Sequence, residues 1–91
     1  MSQHVLITVG AAGIGRAIAM KFLSEGAGVA ICDADPDAVA AFSREFPEAI
    51  CQTADVNAEA EMASFLDELA ATWGGVDIVC ANAGPTVPAL A

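Results

Sequence analysis

The sequence predicts an α/β fold in which a parallel sheet lies between two layers of helices. Four short apolar runs alternate with three stretches of helical periodicity, which gives the order β-α-β-α-β-α-β. The second run, Val29-Ala30-Ile31-Cys32, lacks polar alternation, as is typical of a strand covered on both faces. Such alternation implies parallel strands with right-handed crossovers. Doubly wound topology then predicts strand order 3-2-1-4, with the first two helices on one face and the third on the other.

A glycine-rich turn joins the first strand to the first helix. The apolar run from His4 to Thr8 is followed by Gly10, Gly13 and Gly15. Glycines reach positive φ and have no Cβ, so backbone N–H groups can approach a phosphate at the positive end of the helix. The pattern G-x-G-x-x-G is incomplete because Arg16 to Ile18 follow the last glycine. A glycine-rich connection that binds nothing is therefore the alternative.

The first two helices are bounded by capping and breaking residues. The first is expected to end at Gly26 and Gly28, and the second to begin with Asp35 as N-cap and Pro36 at the first position. Pro47 closes the second helix. The expected apolar faces are Ile14, Ala17, Ile18, Phe22 and Leu23 in the first, and Val39, Ala40, Phe42 and Phe46 in the second.

The second half of the chain repeats this arrangement. Residues 49–54 form the third predicted strand, and Asn57 is the expected cap of a long helix that ends at Gly74-Gly75. The apolar stripe of that helix is Met62, Phe65, Leu66, Leu69 and Trp73. Residues 76–81 form the fourth strand. We expect residues 1–84 to form one nucleotide-binding domain and residues 85–91 to form a loose C-terminal tail.

Composition restricts the function classes. The chain is 56% hydrophobic, and its formal net charge of −9 makes it a poor partner for nucleic acid or an anionic membrane surface. No apolar run has the length of a membrane span, and no signal peptide is evident, so we expect a cytoplasmic protein. Cys32, Cys51 and Cys80 lie within apolar runs and have no CxxC spacing, so we interpret them as small hydrophobic residues.

The carboxyl ends of the predicted strands gather the candidate binding residues. Ligands of doubly wound folds bind where the winding reverses, which here lies between strands 1 and 4, where residues 10–15 and 82–84 meet. Asp33 ends the second strand 18 residues after Gly15, a position from which a carboxylate accepts hydrogen bonds from a ribose diol. It would repel a 2′-phosphate, which favours NAD over NADP. Alternatively, Asp33 is an acid near the second helix that competes with Asp35 and Asp37 for capping.

These motifs, in this order, resemble those of the short-chain dehydrogenases/reductases, whose glycine motif is T-G-x-x-x-G-x-G. Thr8 and Gly13-Ile14-Gly15 match that motif. Asp33, Asp55-Val56 and Asn82-Ala83-Gly84 stand where the family has its ribose-binding acid, its adenine-binding Asp-Val and its Asn-Asn-Ala-Gly turn. The resemblance covers essentially the whole chain and implies a Rossmann-like, three-layer αβα fold.

The resemblance implies a role for each motif. The pyrophosphate of NAD would be held by backbone groups of Gly10, Ala12, Gly13, Ile14 and Gly15. Asp55 and Val56 would contact the adenine, and Asn82, Ala83 and Gly84 would support the adenosine ribose and the sheet. As alternatives, Asp55 caps the strand-to-helix turn, and Asn82 is a turn residue that tolerates an unusual φ.

The sequence departs from the family pattern in three respects. Val9 stands at the position of the first glycine, through either a substitution or a turn displaced to Gly10, and Ala81 replaces the first Asn of the second motif. The family's catalytic Ser and Tyr-x-x-x-Lys belong to a later region, and this chain has no Tyr. No catalytic residue is therefore assigned.

The resemblance implies the cofactor-binding portion of an oxidoreductase that transfers hydride between NAD(H) and an alcohol or carbonyl substrate. We expect the 91-residue chain alone to be inactive. The alternative is a non-catalytic nucleotide-binding or interaction module. The fourth strand is a sheet edge on an incompletely covered face, so we also expect homo-oligomerisation.

Overall fold

The structure, a computed structural model, describes residues 3–8, 13–55 and 57–81. Ala81 is described by its backbone alone. Strands and helices alternate as predicted. The strands are β1 (His4–Thr8), β2 (Gly28–Asp33), β3 (Ile50–Thr53) and β4 (Ile78–Ala81), and the helices are α1 (Gly13–Ser24), α2 (Pro36–Glu45) and α3 (Glu59–Trp73). Among these residues, no helix has the length and apolar character needed to cross a membrane.

The strands form one parallel sheet in the order β3-β2-β1-β4, which confirms the predicted topology. The central strand, β1, pairs with β2 on one side and β4 on the other, so that Leu6 lies between Ala30 and Val79. β3 pairs with the outer side of β2. All four strands therefore end at the same edge of the sheet.

Each face of the sheet has its own hydrophobic cluster, as doubly wound topology requires. α1 and α2 cover the first face, where Phe42 of α2 is 1% exposed, and α3 covers the second, where Phe65 is 2% exposed. The buried members of the first cluster are Val5, Ile7, Ala19, Val29, Ile31, Val39 and Phe42. Those of the second are Leu6, Ala30, Cys32, Ala54, Phe65 and Leu69. Side chains of β1 and β2 alternate between the two clusters.

The helix boundaries agree with the predicted caps at α2 but not at the start of α3. The Asp35 carboxylate accepts hydrogen bonds from the backbone N–H groups of Asp37 and Ala38, and Pro36 opens α2. Gly74 ends α3 in the left-handed conformation, with φ of 82°. The expected Asn57 cap is wrong: Ala58 is the N-cap residue, and it provides no side-chain hydrogen bond.

Four residues assigned to apolar helix faces are exposed. Ile14 is 72% exposed and Leu66 is 43% exposed, and Ala17 and Ala40 are also exposed. The predicted face of α1 is confirmed at Ile18, Phe22 and Leu23, which are partly buried and pack against the first cluster. The fully buried positions of α1 are the small residues Gly15 and Ala19.

An aromatic stack lies at the opposite edge of the sheet, where the strands begin. The imidazole ring of His4 stacks on the indole of Trp73 with centroids 4.5 Å apart and planes 6° from parallel. Two hydrogen bonds connect His4 with Asp77: the Asp77 backbone N–H donates to the His4 carbonyl, and the His4 backbone N–H donates to the Asp77 carboxylate. A Cβ on Gly28 would lie 3.0 Å from His4 Cδ2.

Candidate functional site

The carboxyl ends of the strands and the starts of the helices share one edge of the molecule. At this edge Thr8 lies between Cys32 and Ala81 of the neighbouring strands, and Asp33 lies beside Thr53. The Thr8 hydroxyl also donates to the Cys80 carbonyl at 3.5 Å, which adds a side-chain link between β1 and β4. Because α1 and α3 lie on opposite faces, the winding reverses between β1 and β4, where such folds bind ligands.

The first turn of α1 differs from those of the other two helices. Gly13 begins α1 with φ of 63°, and within the described part of the chain no atom beyond its sequence neighbours and the α1 backbone lies within 4 Å of where its Cβ would be. The turn contains no acidic residue, whereas α2 has Asp37 and α3 has Glu59 and Glu61 in their first turns. A carboxylate near a helix N-terminus offsets its positive partial charge. Of these three helices, α1 therefore offers the most favourable N-terminus for an anion.

Asp33 is held at the end of β2 by local hydrogen bonds. Its Oδ1 accepts from the Asp35 backbone N–H at 3.1 Å, and its carbonyl accepts from Ala54 N–H at 3.0 Å. The N-cap of α2 is Asp35, so neither Asp33 nor Asp37 has that role. A carboxylate has about four acceptor positions, which leaves Asp33 capacity to accept bonds from a ligand.

Asp55 follows the end of β3 and organises the turn into α3. Its carboxylate Oδ1 accepts from Asn57 N–H at 2.9 Å, and its own N–H donates to Glu61 Oε1 at 3.0 Å. The turn-forming role that the sequence offered as an alternative is thus present in the structure. Asp55 is exposed, so its carboxylate is also accessible to a ligand.

Glu61 contacts a predicted site residue, Asp55, and was not itself predicted from the sequence. It is the third residue of α3, the position from which a Glu commonly bonds back to the chain before the helix in a capping box. The usual Ser or Thr at the cap would have revealed this pattern, but Ala58 stands there. Glu61 bonds instead to the N–H of Asp55, and so connects one predicted site residue to the helix.

The predicted site lies only partly within the described residues. Gly13, Ile14, Gly15, Asp33 and Asp55 lie at the carboxyl edge or in the first turn of α1. The remaining predicted residues, Gly10, Ala12, Val56, Asn82, Ala83 and Gly84, lie outside the described residues, as does Val9.

A metal site and a nucleophilic cysteine find little support in the described part of the chain. No group of three or more His, Cys, Asp or Glu residues that could hold a metal ion is found there. Cys32 is buried, with its Sγ 3.9 Å from Met62 Sδ. Burial raises the pKa of the Cys51 thiol above its usual range, and a hydrogen bond with Ser43 acts in the opposite direction. A raised thiol pKa disfavours a nucleophilic role.

Comparison with known proteins connects this arrangement to a family. The family model for short chain dehydrogenases matches residues 3–90. The chain is 43% identical to sorbitol dehydrogenase of Cereibacter sphaeroides over 89% of its own length and 32% of that protein. It is 36% identical to 2-dehydro-3-deoxy-L-rhamnonate dehydrogenase (NAD(+)) of Sphingomonas sp. (strain SKA58), over 89% of the chain and 32% of that protein.

Solved structures share the fold. 2-keto-3-deoxy-D-gluconate dehydrogenase from Streptococcus agalactiae superposes with a TM-score of 0.83 at 27% identity, over 93% of this chain and 34% of that one. Actinorhodin polyketide ketoreductase with NADPH superposes with a TM-score of 0.85 at 29% identity, over 91% of this chain and 33% of that one. The chain thus spans about a third of the length of these relatives. The matched family model, the parallel 3-2-1-4 sheet and the glycine-containing start of α1 agree: this chain belongs to the short-chain dehydrogenases, a family of oxidoreductases.

Proposed function

We propose that this chain binds a nicotinamide dinucleotide, NAD in preference to NADP, across the carboxyl edge of its sheet. The observation that carries the proposal is the first turn of α1, which has no acidic residue and begins at a glycine with open space around it. A pyrophosphate fits such a turn because backbone N–H groups and the helix dipole both favour an anion. Gly10, Ala12, Gly13, Ile14 and Gly15 are the proposed phosphate-binding residues.

The proposed preference for NAD depends on Asp33. Its carboxylate lies at the end of β2, next to β1, and is half-buried. A ribose diol can donate hydrogen bonds to it, whereas a 2′-phosphate would meet a like charge. One relative is named for NAD(+) and a solved relative contains NADPH. Cofactor choice thus varies among similar proteins, and in this chain we assign it to Asp33.

The remaining predicted residues complete the proposed site. Asp55 and Val56 would contact the adenine, and Asn82, Ala83 and Gly84 would support the adenosine ribose. Support for this assignment comes from the sheet, in which β3 and β4 end at the same edge as β1 and β2. The Glu61 carboxylate helps to fix Asp55, because it accepts the Asp55 N–H.

In a longer protein, the bound cofactor would exchange a hydride with an alcohol or carbonyl substrate. The residues of this chain would bind and orient the cofactor and fix which dinucleotide is accepted. Groups that exchange protons with the substrate would come from the two thirds of the relatives' length that this chain does not span. We therefore propose that the chain alone binds NAD without turnover, as a cytoplasmic protein.

Calorimetric titration of the purified chain with NAD and NADP tests the proposal. We expect tighter binding of NAD, and we expect Asp33→Asn to lower the ratio of NAD to NADP affinity about tenfold, equivalent to about 1.4 kcal/mol. Asp37→Asn is the matched control: it removes the same charge from the first turn of α2 and should leave the ratio unchanged. A folded chain that binds neither dinucleotide would contradict the proposed function. An unchanged ratio in Asp33→Asn would refute the role of Asp33.

A further inference from the structure

Arg16 connects the first turn of α1 to the end of α2. Its Nη2 forms an ion pair with Glu45 Oε1, and its Nη1 lies 3.1 Å from Met20 Sδ. The guanidinium carbon lies 5.6 Å from the centre of the Phe46 ring, within the range of a cation–π contact. The Arg16 side chain is 34% exposed, so it lies against α2 rather than extending into solvent.

The contact with Phe46 continues into the core. Phe46 packs on Phe42 with ring centroids 4.8 Å apart, and Phe42 is 1% exposed. The Arg16 head group therefore rests on an aromatic pair whose inner member is fixed by the first hydrophobic cluster. Its ion-pair partner, Glu45, is the last residue of α2.

The rest of the first turn of α1 has little side-chain contact with its surroundings. Gly13 and Gly15 have no side chains, and Ile14 is 72% exposed. Arg16 is consequently the residue of this turn whose side chain ties it to another helix. Gly15 is buried, so its backbone also holds the turn, and Arg16 adds a side-chain contact with α2.

We propose that Arg16 is a positioning residue for the dinucleotide: by bonding to Glu45 and Phe46, it fixes the first turn of α1 so that its N–H groups meet the pyrophosphate. This inference rests on the proposed function. The role is indirect, since the Arg16 head group is engaged by α2. A preorganised anion site binds more tightly because its donors are already ordered before the ligand arrives.

Two roles of Arg16 predict opposite effects of removing Glu45. If Arg16 acted on the phosphates as a free cation, loss of the Glu45 charge would strengthen nucleotide binding, because Glu45 neutralises it. If Arg16 instead orders the turn through its contacts with α2, loss of Glu45 releases the turn and weakens nucleotide binding. Glu45→Ala leaves residue 16 an arginine and therefore separates the two roles.

The experiment compares calorimetric titrations of the 91-residue chain and its variants with NAD, ADP and adenosine. We expect Glu45→Ala and Arg16→Met each to weaken NAD and ADP binding about fivefold, as expected for a partly buried ion pair. Adenosine has no phosphate and should bind with unchanged affinity.

Lys21 and Glu25 form an exposed ion pair at the end of α1, with 3.6 Å between Nζ and Oε2. Glu25→Ala and Lys21→Met are therefore matched controls and should bind all three ligands like the unmodified chain.

Each outcome decides the inference. Unchanged or tighter NAD binding by Glu45→Ala overturns it, and so does an equal loss for adenosine, which would indicate general destabilisation. If the unmodified chain binds no nucleotide, the proposed function fails. Backbone amide order parameters of residues 13–16 then test whether the contact between Arg16 and Glu45 orders the first turn of α1. Lower order parameters in Glu45→Ala than in Glu25→Ala would support this ordering role, whereas equal order parameters would refute it.

Discussion

At the scale of single residues, Gly28 is constrained by the aromatic stack beside it. A Cβ there would meet His4 Cδ2 at 3.0 Å and the Trp73 ring at 3.5 Å. We expect Gly28→Ala to lower the free energy of unfolding by about 1–2 kcal/mol, because overpacking outweighs the better strand propensity of Ala. Urea denaturation followed by Trp73 fluorescence measures the change.

A double-mutant cycle identifies the cause of that loss. Replacing His4 by Ala removes the nearest atom, so Gly28→Ala should cost little in the His4→Ala background. The same loss in both backgrounds would show that the stack is not what excludes a side chain at Gly28.

Residue identity predicted the position of Asp33 and the Asp35 cap, but not the hydrogen bond between them. Pro36 indicated Asp35 as the N-cap, and the structure confirms it, because the Asp35 carboxylate accepts from the Asp37 and Ala38 N–H groups. The Asp33 carboxylate accepts instead from the Asp35 N–H. Arg16 was likewise unremarkable in sequence, since its partners Glu45 and Phe46 lie at the far end of the next helix.

At the scale of elements, α3 begins with an incomplete cap. Ala58 has the extended backbone of an N-cap, with φ of −94° and ψ of 99°, but no side-chain oxygen. We expect Ala58→Ser to raise the free energy of unfolding by about 0.5–1 kcal/mol, because the hydroxyl would accept an N–H of the first turn. Thermal unfolding followed by circular dichroism tests this, with Ala63→Ser, inside the helix and exposed, as the control. A gain of equal size in the control would contradict the capping explanation.

Element boundaries were predictable where short-range chemistry determines them. Asp35-Pro36 and Gly74 end or begin helices through their own backbone and side-chain preferences, and the structure confirms both. The apolar face of α1 was predictable only in part. Ile18, Phe22 and Leu23 pack against the first cluster as predicted, whereas Ile14 is exposed and the fully buried positions are Gly15 and Ala19. A hydrophobicity pattern gives weight to large residues and therefore misses buried positions that small residues occupy.

At the scale of the molecule, the face beneath α3 is covered unevenly. Leu6 and Val79 are aligned neighbours on this face, yet Leu6 is 1% exposed and Val79 is 57% exposed. We expect the chain to self-associate and Val79→Ser to weaken that association about tenfold, because less apolar surface is buried between copies. Sedimentation equilibrium over a range of concentrations measures the change.

The exposed residue Ala40 on α2 provides the matched control for Val79. Ala40→Ser should leave the association constant unchanged. A chain that is monomeric at high concentration would contradict self-association, and equal effects of the two substitutions would show that the Val79 face is not the contact.

The arrangement of the whole molecule was predictable because few topologies satisfy both alternation and right-handed crossovers. Val29 to Cys32, apolar without interruption, already required cover on both faces, and the structure provides it. Of the candidate site, the sequence predicted that Asp33 stands at the end of β2, as the structure has it; its ligand contacts stay a prediction. Residue type alone does not determine which atoms of Gly13 to Gly15, or of Asp33, would contact a ligand. Those contacts depend on backbone positions to within fractions of an ångström.

The two hydrophobic clusters also differ in when they can close during synthesis from the N-terminus. Every buried member of the first cluster has left the ribosome once Phe42 has emerged, whereas the second must wait for Phe65 and Leu69. A nascent chain that ends between those points contains every buried residue of the first cluster, whereas Leu6, Ala30 and Cys32 still lack the α3 residues that cover them. We therefore expect chaperone binding to the nascent chain to be strongest during that interval, when apolar surface of the sheet is exposed.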